Sequence, residues 1–185
     1  MTAPVAGRSV CVYCASSTYD PEMLAIATQV GEGIARRGWS LVSGGGNVSM
    51  MGALAESARA GGARTVGVIP EGLRVREVAD TAADELVVVT TMRERKREME
   101  ERSDAFLTLP GGIGTMEEMF EMWTSASLGF HHKPVVLYDP IGFYRPLLDW
   151  VGGLVEAGLV KDEAMASLVV CDDLEAALDA CGGRG

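Results

Sequence analysis

The chain has 185 residues, enough for one domain (residues 1–185) with a sizeable core and too few for two comfortable ones. Apolar residues make up 48% of it and charged residues 23%, the composition of an ordinary globular protein. The formal net charge of −10 repels polyanions, and no apolar run reaches the roughly 18 residues of a membrane span, so neither nucleic acid nor membrane is an expected partner.

The first element is a strand, Ser9–Ala15 (SVCVYCA), apolar throughout as expected of a strand buried on both faces. The segment MTAPVAGRSVCVYCAS lacks the charged region and separate cleavage site of an export signal, so a cytoplasmic location is expected. Cys11 and Cys14 form a CxxC, but residues three apart in a strand point to opposite faces. Reduced thiols, with no metal and no cofactor, are therefore the expectation.

Pro21–Arg37 follows as a helix, with Met23, Ile26, Ala27, Val30 and Ile34 at helical spacing, Pro21 in its first turn and Gly38 at its end. Trp39–Ser43 is a short strand, and Gly44–Gly46 turn the chain into a helix running to about Ala60. Strands are expected at Thr65–Ile69, Leu86–Thr90, Ala105–Leu109, Pro134–Tyr138 and Val169–Val170. Helices are expected at Met92–Ser103, Thr115–Leu128, Phe143–Ala157 and Leu174–Ala180, and 70–84 as loop. Repeated strand–helix units imply a Rossmann-like α/β fold with a mainly parallel sheet, flanked by helices, and ligands at the carboxyl ends of its strands.

Two glycine loops, Ser43-Gly44-Gly45-Gly46-Asn47 and Pro110-Gly111-Gly112-Ile113-Gly114-Thr115, each join a strand to a helix. Glycine lets the backbone approach a ligand, and a helix N-terminus offers unpaired N–H groups and positive dipole charge to a phosphate. Neither loop is a Walker A motif, since no Gly-Lys-Ser/Thr follows. The dinucleotide pattern G-x-G-x-x-G also fails, with Glu117 or Ser49 at its third glycine; only Gly44, Gly46 and Glu71 keep an NAD-type reading alive.

The helix MRERKREMEERS carries Arg93, Arg95, Lys96, Arg97 and Arg102, and its Met92, Arg95, Lys96 and Met99 share one face. Methionines mixed with cations suit a lined pocket better than open solvent, although a solvated helix with Glu/Arg pairs accounts for some of these charges. Thr115-Met116-Glu117-Glu118 matches a capping box, which gives Glu118 a structural reading beside any chemical one. At a helix N-terminus Glu118 is expected to stay ionised.

Arg95-Lys96 within Met92–Met99, followed by PGGIGTMEE, resembles the paired signature MxxRK and PGGxGTxxE of the LOG family. These are cytokinin riboside 5′-monophosphate phosphoribohydrolases, often labelled lysine decarboxylase-like. The resemblance extends to VYCASS, to the SGGG loop and to Lys133-Pro134-Val135. It implies hydrolysis of the N-glycosidic bond of adenosine 5′-monophosphates, N6-modified or not, with Arg95 and Glu118 as the catalytic pair. It further implies substrate contacts from Ser17, Gly44, Gly45, Glu77, Lys96, Gly111, Gly112, Ile113, Gly114, Thr115, Met116, Glu117 and Thr124. Ala15 stands where the family has a glycine, Arg93 where histidine is common, and Arg76 precedes Glu77 in place of glycine; these departures bear on substrate preference. In this reading Glu118 activates water and offsets ribosyl charge, Arg95 holds the substrate as the base leaves, and PGGIGT anchors the 5′-phosphate.

Two other readings remain open. His132-Lys133 resembles the lysine dipeptide that carries pyridoxal phosphate in some decarboxylases, and the same loops would serve a nucleotide carrier without turnover. Met116, Met119, Phe120, Met122 and Trp123 run nearly all round their helix, which suits a homodimer packed there.

Overall fold

Alternating apolar and helical segments form, in chain order, β1 Ser9–Tyr13, α1 Pro21–Arg36, β2 Ser40–Ser43, α2 Ser49–Ala60, β3 Thr65–Pro70, β4 Glu85–Val89 and α3 Met92–Glu101. Then come β5 Ala105–Thr108, α4 Ile113–Ser127, β6 Val135–Tyr138, α5 Arg145–Glu156, α6 Asp162–Ala166, β7 Leu168–Cys171 and α7 Leu174–Gly182. The structure is a computed structural model that describes residues 7–75 and 77–183; Arg76 lies outside them. The strands make one sheet in the order β4-β3-β2-β1-β5-β6-β7, and every pair is parallel. This is the Rossmann-like arrangement expected from the alternation.

A parallel sheet needs cover on both faces, and strand alternation supplies it. Val10 and Val12 join the core beneath α1, α2 and α7, whereas Cys11 and Tyr13 point into the one beneath α3, α4 and α5. Cys14 belongs to the first core and Cys11 to the second, so the CxxC thiols are separated by the sheet and both are free.

Helix ends follow local chemistry. Asp20 caps α1 by accepting the Glu22 N–H, Pro21 opens the helix, and Gly38 takes φ +66° just beyond it. The expected capping box at Thr115–Glu118 is not formed. Helix α4 starts two residues earlier, at Ile113, with Gly112 as an N-cap that offers no side-chain acceptor. The sequence Thr91-Met92-Arg93-Glu94 makes the real box instead, opening α3. The region 70–84 is mostly loop, as expected, with a short 3-10 turn at Glu71–Leu73. The one-turn helix α6 has too few residues to produce a periodic signal.

Candidate active site

The strand order reverses at β1, and the carboxyl ends of β1 and β5 leave a crevice there. Ala15 N–H donates to Pro110 O at 3.2 Å and Leu109 N–H to Tyr13 O at 2.9 Å, tying the two loops together at its base. A cavity of about 290 Å³ fills the crevice. Six chain segments line it: Val12–Ser17 at the end of β1 and beyond, Gly44 after β2, Met51 on α2, Leu73 and Glu77 after β3, one face of α3, and the start of α4.

Arg95 on α3 is buried, and its guanidinium is held from three sides. Its Nε donates to Val68 O at 3.1 Å, and Nη2 donates to Gly44 O at 2.6 Å and meets Glu77 Oε2 at 3.1 Å. Gly44 is what makes room: a Cβ there would collide with Arg95 Nη2. Two backbone carbonyls and a carboxylate fix the plane of the fork, leaving Nη1 beside Met92 Sδ at 3.9 Å.

Glu118 faces the same cavity from α4. Burial pushes its carboxyl up from 4.5 to about 7; Arg95 pulls it down, and Glu117 and Glu77 add to the rise. This overturns the expectation that the helix N-terminus keeps it ionised. With Ile113 as the first helical residue, Glu118 is the sixth, past the turn where the dipole acts, and desolvation dominates.

The start of α4 also forms an anion cradle. Met116 N–H is the first in α4 to find its helical acceptor, Gly112 O at 3.0 Å, so the preceding N–H groups have none within the helix. A Cβ on Gly112 or Gly114 would meet nothing within 4 Å, while one on Gly111 would strike the Thr115 side chain. The first two glycines keep space open, and the third lets the loop pack. Among the described residues lining the cavity, Arg95 is the only cation, so backbone N–H groups and the helix dipole carry most of the attraction for an anion.

Of the residues expected at the site, Ser17, Gly44, Glu77, Arg95, Gly112, Ile113, Gly114, Thr115, Glu117 and Glu118 line this cavity. Gly45, Lys96, Gly111, Met116 and Thr124 do not. Gly45, at φ +74°, packs over β3. Lys96 Nζ is engaged by Glu117 Oε1 at 2.5 Å and Glu121 Oε2 at 2.7 Å, bridging α3 to α4. Thr124 lies in a separate apolar groove with Phe120 and Trp123. Tyr13, Met51 and Leu73 line the cavity unforeseen; they come from three different segments, and no spacing along the chain joins them.

Lys133 sits before β6, at the other end of the sheet from the crevice, and donates to Glu100 O at 2.7 Å. It is not placed to carry a cofactor in this cavity. Glu71 is paired with Arg74 at 3.1 Å on the surface, which ends the NAD-type reading of that residue.

Fold and crevice together define a Rossmann-like α/β enzyme with an acid, a fixed guanidinium and an uncapped helix N-terminus lining one cavity. The family model described as a possible lysine decarboxylase matches residues 51–181. The cytokinin riboside 5′-monophosphate phosphoribohydrolase of Mycobacterium tuberculosis is 54% identical over 173 residues, covering 94% of this chain and 92% of that protein. The enzyme so named from Arabidopsis thaliana, LOG2, is 40% identical over 167 residues, 88% of this chain and 76% of its own. Among solved structures, the molybdenum cofactor carrier protein of Chlamydomonas reinhardtii shares the fold, with a TM-score of 0.68 at 23% identity over 95% of this chain and 96% of that one. The chain belongs to the LOG family of phosphoribohydrolases, which is also the possible lysine decarboxylase family.

Proposed function

We propose that this cleft hydrolyses the N-glycosidic bond of adenosine 5′-monophosphate or its N6-modified forms, yielding free base and ribose 5-phosphate. One observation carries the reading: a carboxyl that burial pushes up to about 7, a guanidinium held from three sides and a bare helix N-terminus line one cavity. The 5′-phosphate binds the N–H groups around Gly112–Thr115, and this non-reacting end positions the reacting one. As the C–N bond stretches, the ribose gains oxocarbenium character. Ionised Glu118 offsets that charge and takes a proton from the attacking water, and with a pKa of about 7 it can return that proton to the departing base. Arg95 holds the substrate through its free edge.

Glu117 and Ser17 complete the contacts at the cleft. Lys96 acts through its bridge to Glu117, and Gly45, Gly111 and Met116 shape the loops behind. Thr124 lines the apolar groove beside α4 and not this cavity. A carrier reading is less well supported, because a carrier has no use for an acid tuned to neutrality. The working form is a homodimer joined through the groove beside α4, in the cytoplasm, where its four free cysteines stay reduced.

The test is release of adenine from AMP. Glu118→Gln keeps the shape and loses the proton exchange, so turnover falls by about 10²–10⁴-fold while AMP binding persists. Full turnover by that variant, or equal rates for AMP and adenosine, would refute the assignment.

A further inference from the structure

Glu77, which fixes Arg95, belongs to no helix or strand. It lies in the turn between β3 and β4, and the residue after it, Val78, has φ +48°. A β-branched side chain is disfavoured in that region, and such strain persists only where the surroundings over-determine it. Part of the restraint is backbone. Asn47 N–H donates to Glu77 O at 3.1 Å and to Val78 O at 2.7 Å, Asp80 N–H donates to Gly45 O at 2.8 Å, and Gly46 bridges to Ala79. The turn is thus laid against the SGGGN loop, and a Cβ on Gly46 would press on Glu77 itself, 3.1 Å from its carbonyl oxygen.

The rest is an ion pair. Asp80 is 3% exposed and accepts from both prongs of Arg59 on α2, at 2.6 and 3.3 Å, while its Oδ1 also takes the Ala82 N–H at 3.2 Å. Neither Arg59 nor Asp80 lines the cavity. Bidentate geometry with an almost fully buried carboxylate is the case in which removing one partner is felt strongly.

We infer that Arg59 and Asp80 are positioning residues: their ion pair pins the strained Glu77–Asp80 turn onto the SGGGN loop, and so aims Glu77 at Arg95. The inference rests on the proposed hydrolysis insofar as aiming Arg95 matters to turnover. The chain of contact is Arg59 to Asp80, the turn to Glu77, and Glu77 to Arg95, with the anchor outside the cavity lining.

Two measurements on the full chain test it. First, Asp80→Asn, Glu77→Gln and the double variant are compared in kcat/KM for AMP. The expected result is a loss of about tenfold for Asp80→Asn alone, mostly in kcat, and of less than about twofold when Glu77 is already Gln. Equal losses in both backgrounds would mean a merely structural role and overturn the inference. Arg59→Lys, which keeps one charge and loses the two-pronged hold, should fall between wild type and Asp80→Asn; it carries the cycle where Asp80→Asn fails to fold. Second, amide hydrogen exchange is read at Asn47 and Asp80, whose N–H groups hold the turn. In Asp80→Asn or Arg59→Lys their exchange should quicken while that of the β1 and β5 amides stays at the wild-type rate. Unchanged exchange at Asn47 and Asp80 overturns the anchor. If wild type releases no adenine from AMP, the hydrolase reading fails by itself, and the exchange result still decides whether the pair pins the turn.

Discussion

Glu118 sits under two opposed demands. Burial favours its neutral form, whereas Arg95 favours the charged one, and burial prevails to leave the group near pH 7. A poised carboxyl can exchange a proton in either direction during turnover, but it is held there against stability. The sign is that of an acid whose folded pKa lies above its unfolded value. Stability is intact below about pH 4.5 and is lost progressively as pH rises through 7, because the folded state then carries an ionised carboxylate that water would solvate better. Replacing Glu118 by Gln removes that burden. The variant should therefore melt at a higher temperature than wild type at pH 8, with the gap closing at pH 5, where both side chains are neutral. Scanning calorimetry at the two pH values checks this; a gap that is absent at pH 8, or equal at both, would show that burial does not govern the group. Arg95 is the complementary case. Val68 O, Gly44 O and Glu77 hold its guanidinium in one orientation, so its contribution is direction as much as charge.

At the scale of elements, the start of α4 is where helix stability and ligand binding compete. Gly114 lies in the first turn with open space beside it, and alanine there would favour the helix by up to about 1 kcal/mol. The added methyl also projects into the room left for the phosphate. Gly114→Ala should accordingly melt a few degrees higher and show a raised KM for AMP with kcat much less affected. Steady-state kinetics beside a thermal melt separates the two effects, and an unchanged KM would move the phosphate away from this turn. Much of this element-level picture is legible in the sequence. Continuous apolar runs marked the buried strands, and the two glycine loops fell at the carboxyl edge of the sheet as the α/β pattern requires. What misled was local: T-x-x-E occurs twice, and the box formed at Thr91–Glu94 while Gly112 opened α4 ahead of Thr115. That two-residue shift puts Glu118 beyond the first turn, where burial outweighs the helix dipole and raises its pKa. Met51, Leu73 and Tyr13 could not be foreseen because tertiary convergence alone brings them to the cavity, and Lys96 looked like a ligand because its partners Glu117 and Glu121 lie on another helix.

Over the whole molecule, the acidic charge and the apolar surface are unevenly arranged. A net charge of −10 makes two copies repel, so any self-association must rest on a face where apolar burial outweighs that repulsion. The groove beside α4 is such a face: Trp150 is 60% exposed, Leu128 67% and Leu159 75%, around Phe120 and Trp123. The expectation that α4 is apolar nearly all round needs correction, since Glu117, Glu121 and Thr124 leave one side in solvent while Met119, Met122 and Trp123 are buried in the chain's own core. The apolar excess lies on the flank shared with α5 and the segment after it, and large exposed apolar residues gathered in one patch mark an association site. Light scattering on a sizing column should give twice the chain mass. Trp150→Glu sets like charges against each other across a two-fold interface and buries them unpaired, so it should yield the single-chain mass with the fold kept, as read by far-ultraviolet circular dichroism. High salt screens the charge repulsion and leaves apolar association in place, so the wild-type dimer should tighten with added salt. A wild-type monomer at micromolar concentration, or a dimer that survives Trp150→Glu, would place the contact elsewhere or remove it.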